Sequence, residues 1–144
     1  MGIDGKVGAS LRAWRDFFPN AIVIGGDVDP EILFQEDRIS TFYVDQTNPK
    51  SIDNFWKVVN LSNFDLIVDD GLHTYEAGST LFNYSFDRLK SDGMYIIEDV
   101  THRDTLRYVE FFKDKSVFAQ ILQFYNHDRD LGQSSLIAVR KSSR

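Results

Sequence analysis

Four short apolar runs end in acidic residues, and helix-like segments separate them. They are "AIVIGGD" (21–27), "ISTFYVD" (39–45), "FDLIVDD" (64–70) and "GMYIIED" (93–99). Their β-branched and aromatic content, over so few residues, reads as buried strands. The segments around them carry helical spacing. "ASLRAWRDFFP" (9–19) puts Leu11, Trp14, Phe17 and Phe18 on one face, and Pro19 follows its end. "DPEILFQE" (29–36) and "NPKSIDNFWKVVN" (48–60) open with a capping residue and a proline. "TYEAGSTLFNYSFDRLK" (74–90) and "RDTLRYVEFFKD" (103–114) complete the helical set. Near-continuous apolar strands alternating with helices predict an α/β fold, a doubly wound, mostly parallel sheet covered on both faces. "VFAQILQFY" (117–125) and "SSLIAVRK" (134–141) follow with no helix between them, which predicts an antiparallel edge.

In such sheets ligands bind beyond the carboxyl ends of the strands. Those ends carry Asp27, Asp45, Asp69-Asp70 and Glu98-Asp99, so the acidic residues fall on one rim. The strands at 64–70 and 93–99 are successive in a right-handed βαβ unit and are expected to be neighbours. Neighbouring strands lie about 4.8 Å apart. Asp70, Glu98 and Asp99 can therefore converge on one cation, and oxygen ligands suit a hard ion such as Mg²⁺ or Ca²⁺. A cation would also relieve the repulsion between adjacent carboxylates. The plainer alternative makes Asp70-Gly71 a turn and Glu98 and Asp99 caps of the next helix.

His73 stands three residues after Asp70, at the start of a helix. A neutral imidazole there can take a proton from a hydroxyl, or it can be a surface histidine. His102 follows "EDV" and competes for the same cleft, whereas His127 lies in a polar loop. "GIDGKVG" (2–8) spaces Gly2, Gly5 and Gly8 ahead of a helix, a loop that lets a ligand approach the backbone closely. Asp27, about twenty residues on, is placed to accept from ribose hydroxyls, or to serve a turn. Asp29 reads as a helix cap. Asp45 and Gln46 either flank a base or cap the helix that follows.

The 144 residues suffice for one domain with a real core. No run of about 18 apolar residues is present to span a membrane, and the N-terminus lacks a signal-peptide pattern. A net charge of −6 argues against binding a phosphate backbone. The absence of cysteine excludes disulfides, thiolate metal sites and thiol catalysis, and is consistent with a cytoplasmic protein.

Three segments carry a resemblance: "GASLRAWRDFFPNAIVIGGDVDP", "FDLIVDDGLHT" and "LKSDGMYIIEDV". Together they resemble the class I S-adenosylmethionine-dependent methyltransferases. They are most similar to the metal-dependent sugar O-methyltransferases of macrolide biosynthesis, the mycinamicin and macrocin type, with their cephalosporin-hydroxylase-like relatives. The similarity runs over roughly residues 2 to 100. The family's usual Asp-Asp-Gly-Ser-His stands here as Asp69-Asp70-Gly71-Leu72-His73. The resemblance implies a Rossmann-like sheet, Mg²⁺ held by Asp70, Glu98 and Asp99, and His73 as general base. It further implies S-adenosylmethionine over the glycine loop with Asp27 on its ribose, Asp69 in the cofactor pocket, and methyl transfer to a hydroxyl of a sugar or polyhydroxyl natural product. One departure matters. The family places a first, central strand before the glycine loop, and this sequence opens at "MGIDG". The expectation is therefore a single methyltransferase-like domain over residues 1–144, shortened at its N-terminus and lacking that strand. Exposed strand edges would then favour a homo-oligomer. The competing expectations are a catalytically impaired module acting in assembly or binding, and a hydroxylase-type relative sharing the metal site.

Overall fold

Three helices begin where the sequence supplies a short polar side chain to accept the first free N–H groups. The architecture is that of a computed structural model, which describes residues 5–124 and 134–141. Asn48 accepts from Lys50 N ahead of helix α2 (Pro49–Val59), with Pro49 in the first turn where no N–H is needed. Thr74 caps α3 (Tyr75–Ser85) and Thr101 caps α4 (His102–Lys113) in the same way. Helix α1 (Ala9–Phe17) starts differently: Gly8 sits at its N-cap in the left-handed region, φ 70°, without a side-chain cap. A Cβ on Gly8 would collide with the Phe34 ring, so glycine serves both the backbone angle and that contact.

The strands form two sheets. In the first, β1 (Val23–Asp27) lies parallel to β3 (Ile39–Tyr43), and the short β2 (Gln35–Glu36) is antiparallel to β3. In the second, the order is β4 (Phe64–Asp69), β5 (Leu89–Thr101), β7 (Ser134–Lys141), β6 (Val117–Phe124). The β4–β5 pair is parallel, as the βαβ reading predicts, and β7 runs antiparallel to both β5 and β6. Among the described residues β1 and β4 are each paired on one side only. The single sheet expected from the alternation is thus divided between these two strands, where the resemblance implies a further central strand.

The expected helix over 29–36 is reduced to one 3-10 turn, Pro30–Ile32, with Asp29 accepting from Glu31 N as a cap. Beyond it the chain pairs with β3 instead: Thr41 N and Thr41 Oγ1 both donate to Phe34 O, and Gln35 faces Ser40. Cross-strand hydrogen bonds outcompete the helical pattern because they also bury Ile39 and Thr41. Helix α1 leans on β1 through Leu11, which occupies the space a Cβ on Gly25 would take. The rest of its predicted apolar face is not covered. Trp14 stacks on Phe18 and Phe17 meets Phe18 edge to face, yet Phe17 stays 74% exposed. Arg12 and Arg15 hold the helix to β2 by pairing with Glu36.

Two apolar clusters carry the packing. One, around Ile52, Phe55, Trp56 and Val59 of α2, spans both sheets by taking in Ile24 and Phe42 on one side and Phe64 and Ile67 on the other. The other is built on Phe82, Tyr95, Ile97, Tyr108, Phe112, Ile137 and Val139. Each fully buried large apolar side chain is worth about 1.5–3 kcal/mol. Trp56 Nε1 donates to Ser85 Oγ at 3.0 Å, tying α2 to α3 through a buried polar pair. No helix among the described residues is long and apolar enough to cross a membrane.

Candidate functional site

Strand β5 does not run straight through its acidic end. Its register with β7 passes from Ile97↔Ile137 to Val100↔Ser135, so three steps on β5 face two on β7. The extra residue is a β-bulge at Glu98-Asp99, and Asp99 takes a left-handed backbone, φ 49°. A bulge breaks the in–out alternation and re-aims a side chain. Next door, β4 ends at the buried Asp69, and the chain turns through Asp70, Gly71 and Leu72 to His73, itself left-handed at φ 56°. Left-handed non-glycine residues are uncommon and gather at functional sites.

These two irregular strand ends bring Asp70, His73 and Asp99 together. One ligand atom from each lies within 4.8 Å of the others, and all three residues are exposed. His73 Nε2 is 3.1 Å from Asp70 Oδ1. Glu98 stands half-buried beside them. Its carboxyl is pushed above the usual carboxylate range, first by desolvation and then by the charges of Asp70 and Asp99, while His73 opposes the shift. The donor set of carboxylate oxygens with one imidazole is chemistry that a hard divalent cation accepts.

Behind this rim lies a buried polar layer. Asp69 is 5% exposed, and burial raises its carboxyl, partly offset by hydrogen bonds from Gln46 and from Gly71 N. Its Oδ2 and the hydroxyl of the fully buried Tyr95 have no hydrogen-bond partner among the described residues. Both Tyr95 and Tyr108 have hydroxyls raised by desolvation and by the charge of Asp69. A small cleft lined by Asp69, His73, Gly78, Glu98, Asp104 and Tyr108 connects this layer to the rim.

The remaining residues singled out in the sequence are more dispersed. Gly5 is exposed ahead of α1, and Gly8 caps that helix. Asp27 ends β1, where its Oδ1 accepts from Asp29 N. Asp45 accepts from Thr47 N and Thr47 Oγ1, which holds its carboxyl below the usual range. Gln46 reaches across to Asp69 and Leu72. His102 is the exposed first residue of α4. Gly2 and His127 lie outside the described residues. Sequence reasoning did not find Tyr95 and Tyr108, nor the bulge, because nothing in the local pattern of "GMYIIEDV" marks where pairing slips.

No family model matches the chain. It is 33% identical over 93 residues to demethylmacrocin O-methyltransferase of Streptomyces fradiae, a match covering 65% of this chain and 23% of that protein. It is 33% identical over 93 residues to mycinamicin VI 2''-O-methyltransferase of Micromonospora griseorubida, with the same coverage. The chain thus spans about a quarter of the length of these curated relatives. Among solved structures, the MycE methyltransferase of the mycinamycin biosynthetic pathway, in complex with Mg, SAH and mycinamycin VI, superposes with a TM-score of 0.68. The identity is 22%, over 98% of this chain and 42% of that one. A ribosomal protein L11 methylase from Lactobacillus delbrueckii subsp. bulgaricus gives 0.68 at 16% identity, over 95% of this chain and 66% of that one. The chain has the Rossmann-like fold of the S-adenosylmethionine-dependent methyltransferases, and its sequence relatives are sugar O-methyltransferases of antibiotic pathways.

Proposed function

We propose that this chain carries the site of an S-adenosylmethionine-dependent, Mg²⁺-dependent O-methyltransferase acting on a hydroxyl of a sugar or polyhydroxyl natural product. The observation that supports it most is the convergence of Asp70, His73 and Asp99 at two strand ends of a methyltransferase fold. The named reactions of the relatives, sugar O-methylations in macrolide and tetracenomycin pathways, supply the substrate class.

The residues present fit a hard cation. Asp70, Glu98 and Asp99 would hold it; the Glu98 carboxyl is raised first by burial and then by the charges of Asp70 and Asp99, charges a cation would offset. When bound, Mg²⁺ supplies a Lewis acid for the acceptor hydroxyl and S-adenosylmethionine supplies a methyl group on a sulfonium. His73 would take the proton of the acceptor hydroxyl onto its imidazole. Asp70 orients that ring through the 3.1 Å contact to Nε2. Sulfonium departure needs little help, so the main task of the protein is alignment.

The cofactor would lie over Gly5 and Gly8 ahead of α1, with Asp27 toward the ribose and Asp45 and Gln46 toward the base. Asp69, being buried, shapes the pocket floor from below. One domain over residues 1–144 accounts for both apolar clusters. A homo-oligomer is supported by the one-sided pairing of β1 and β4 among the described residues and by the exposed ring of Phe17. A cytoplasmic setting agrees with the lack of cysteine.

Calorimetric titration with S-adenosylhomocysteine and a transfer assay with S-adenosylmethionine, each with and without Mg²⁺, test the reading. Binding together with Mg²⁺-dependent methyl transfer to a deoxysugar glycoside is the expected result. Cofactor binding without any effect of divalent cations on transfer would sink the metal assignment, and no cofactor binding at all would sink the methyltransferase reading.

A further inference from the structure

The side chain of Gln46 has both ends of its amide engaged. Nε2 donates to Asp69 Oδ1 at 3.1 Å, and Oε1 accepts from Leu72 N at 2.7 Å. The two contacts fix which way the amide points, since only the oxygen can receive the Leu72 N–H. Gln46 follows β3 in the first sheet, whereas Asp69 ends β4 in the second. One side chain therefore links the carboxyl ends of two strands that share no backbone ladder.

Gly71 is shaped to this contact. A Cβ there would overlap Gln46 Oε1 and fall 2.8 Å from Gln46 Cδ. Gly71 is not among the residues with positive φ, so close approach, not backbone angle, calls for glycine at this position. The left-handed residue of the turn is His73. Asp69 completes the arrangement: it is 5% exposed, so the Gln46 amide meets it below the surface. The loop from 70 to 73 is thus held at Leu72 by Gln46, two residues beyond the exposed carboxylate of Asp70.

We infer that Gln46 is a positioning residue, a brace whose amide fixes the Asp70–His73 loop so that Asp70 and His73 meet Asp99. The constraint on the loop stands without any function; the consequence for cation binding rests on the function proposed above. Partners one step removed from a metal ligand commonly change metal affinity about 10–100-fold when removed.

Amide hydrogen exchange and Mn²⁺ binding, measured on the whole chain, test this with Gln46→Met and Gly71→Ala. The brace predicts that exchange at Leu72 N accelerates at least about tenfold in both variants, while amides of Tyr95 and Ile97 in β5 keep their protection. It also predicts weaker Mn²⁺ binding, by about tenfold, read by electron paramagnetic resonance. An unchanged Leu72 exchange rate in a folded Gln46→Met protein would overturn the inference, as would loss of protection spread evenly through β5. Wild-type protein that binds no Mn²⁺ would instead refute the metal reading, and the Leu72 measurement would still decide the brace.

Discussion

His73 Nε2 lies 3.1 Å from Asp70 Oδ1, across a turn in which His73 itself adopts the left-handed backbone. Residues i and i+3 of an ordinary helix first turn would not place an imidazole against a strand-end carboxylate in this way. The geometry separates two roles for the histidine, because a base and a ligand respond differently to removal. With His73 as base, His73→Ala should lower methyl transfer about 10²–10⁴-fold. Mn²⁺ affinity should stay within a few-fold of wild type. Parallel turnover and cation-binding measurements check this, and a matching loss in both would make His73 a ligand.

The carboxylates should behave as one unit. Asp70→Asn and Asp99→Asn each keep the side-chain shape, and Asn tolerates the left-handed backbone that Asp99 adopts. Either change should weaken divalent-cation binding at least about tenfold, with little loss of thermal stability in cation-free buffer. The double variant should lose less than the product of the singles, since the two oxygens serve one ion. Calorimetry over the four proteins measures it.

Glu98 gives a pH dependence with a definite sign. Its folded carboxyl titrates above its unfolded value, so the folded state holds a proton that the unfolded state has released. Between the two values stability therefore falls as pH rises. At neutral pH, without divalent cation, Glu98→Gln should raise stability, by about 0.5 kcal/mol for a partly exposed group. The difference between variant and wild type should shrink as pH drops through the raised carboxyl. Added Mg²⁺ should close the gap from the other side by stabilising wild type. Chemical denaturation across this range, with and without Mg²⁺, reads all three.

Gly78, on α3, touches the buried layer directly. A Cβ there would overlap the Tyr108 hydroxyl and stand 3.2 Å from Asp69 Oδ2. Gly78→Ala gains helix propensity of about 1 kcal/mol. The overlap should outweigh that gain, leaving a net destabilisation of about 1–2 kcal/mol as the tyrosine is displaced. Gly78→Ala combined with Tyr108→Phe removes the clashing oxygen and should recover most of the loss in a thermal melt.

The sequence by itself determined the elements whose signals are local. Asn48-Pro49 announces a helix start and caps as expected, whereas the structure, not the sequence reading, shows Thr74 and Thr101 as the caps of the next two helices, Thr101 in place of the Glu98 and Asp99 of the plainer alternative. Apolar runs ending in acids mark the strands, and the lack of a helix between the last two implies their antiparallel pairing. Asp70, His73 and Asp99 were legible as candidates because strand ends are where such sheets bind ligands. Only the tertiary structure decided the rest. Residues 29–36 favour a helix locally, but Phe34 and Gln35 find partners on β3. The apolar face of α1 predicts burial, yet nothing among the described residues covers Phe17. The bulge that turns Asp99 toward Asp70, and the Gln46 amide that joins β3 to β4, depend on groups 23 residues or more apart in the chain. Such contacts leave no periodic trace, since a hydrogen bond between distant residues is set by how sheets and helices pack and not by the order of their neighbours.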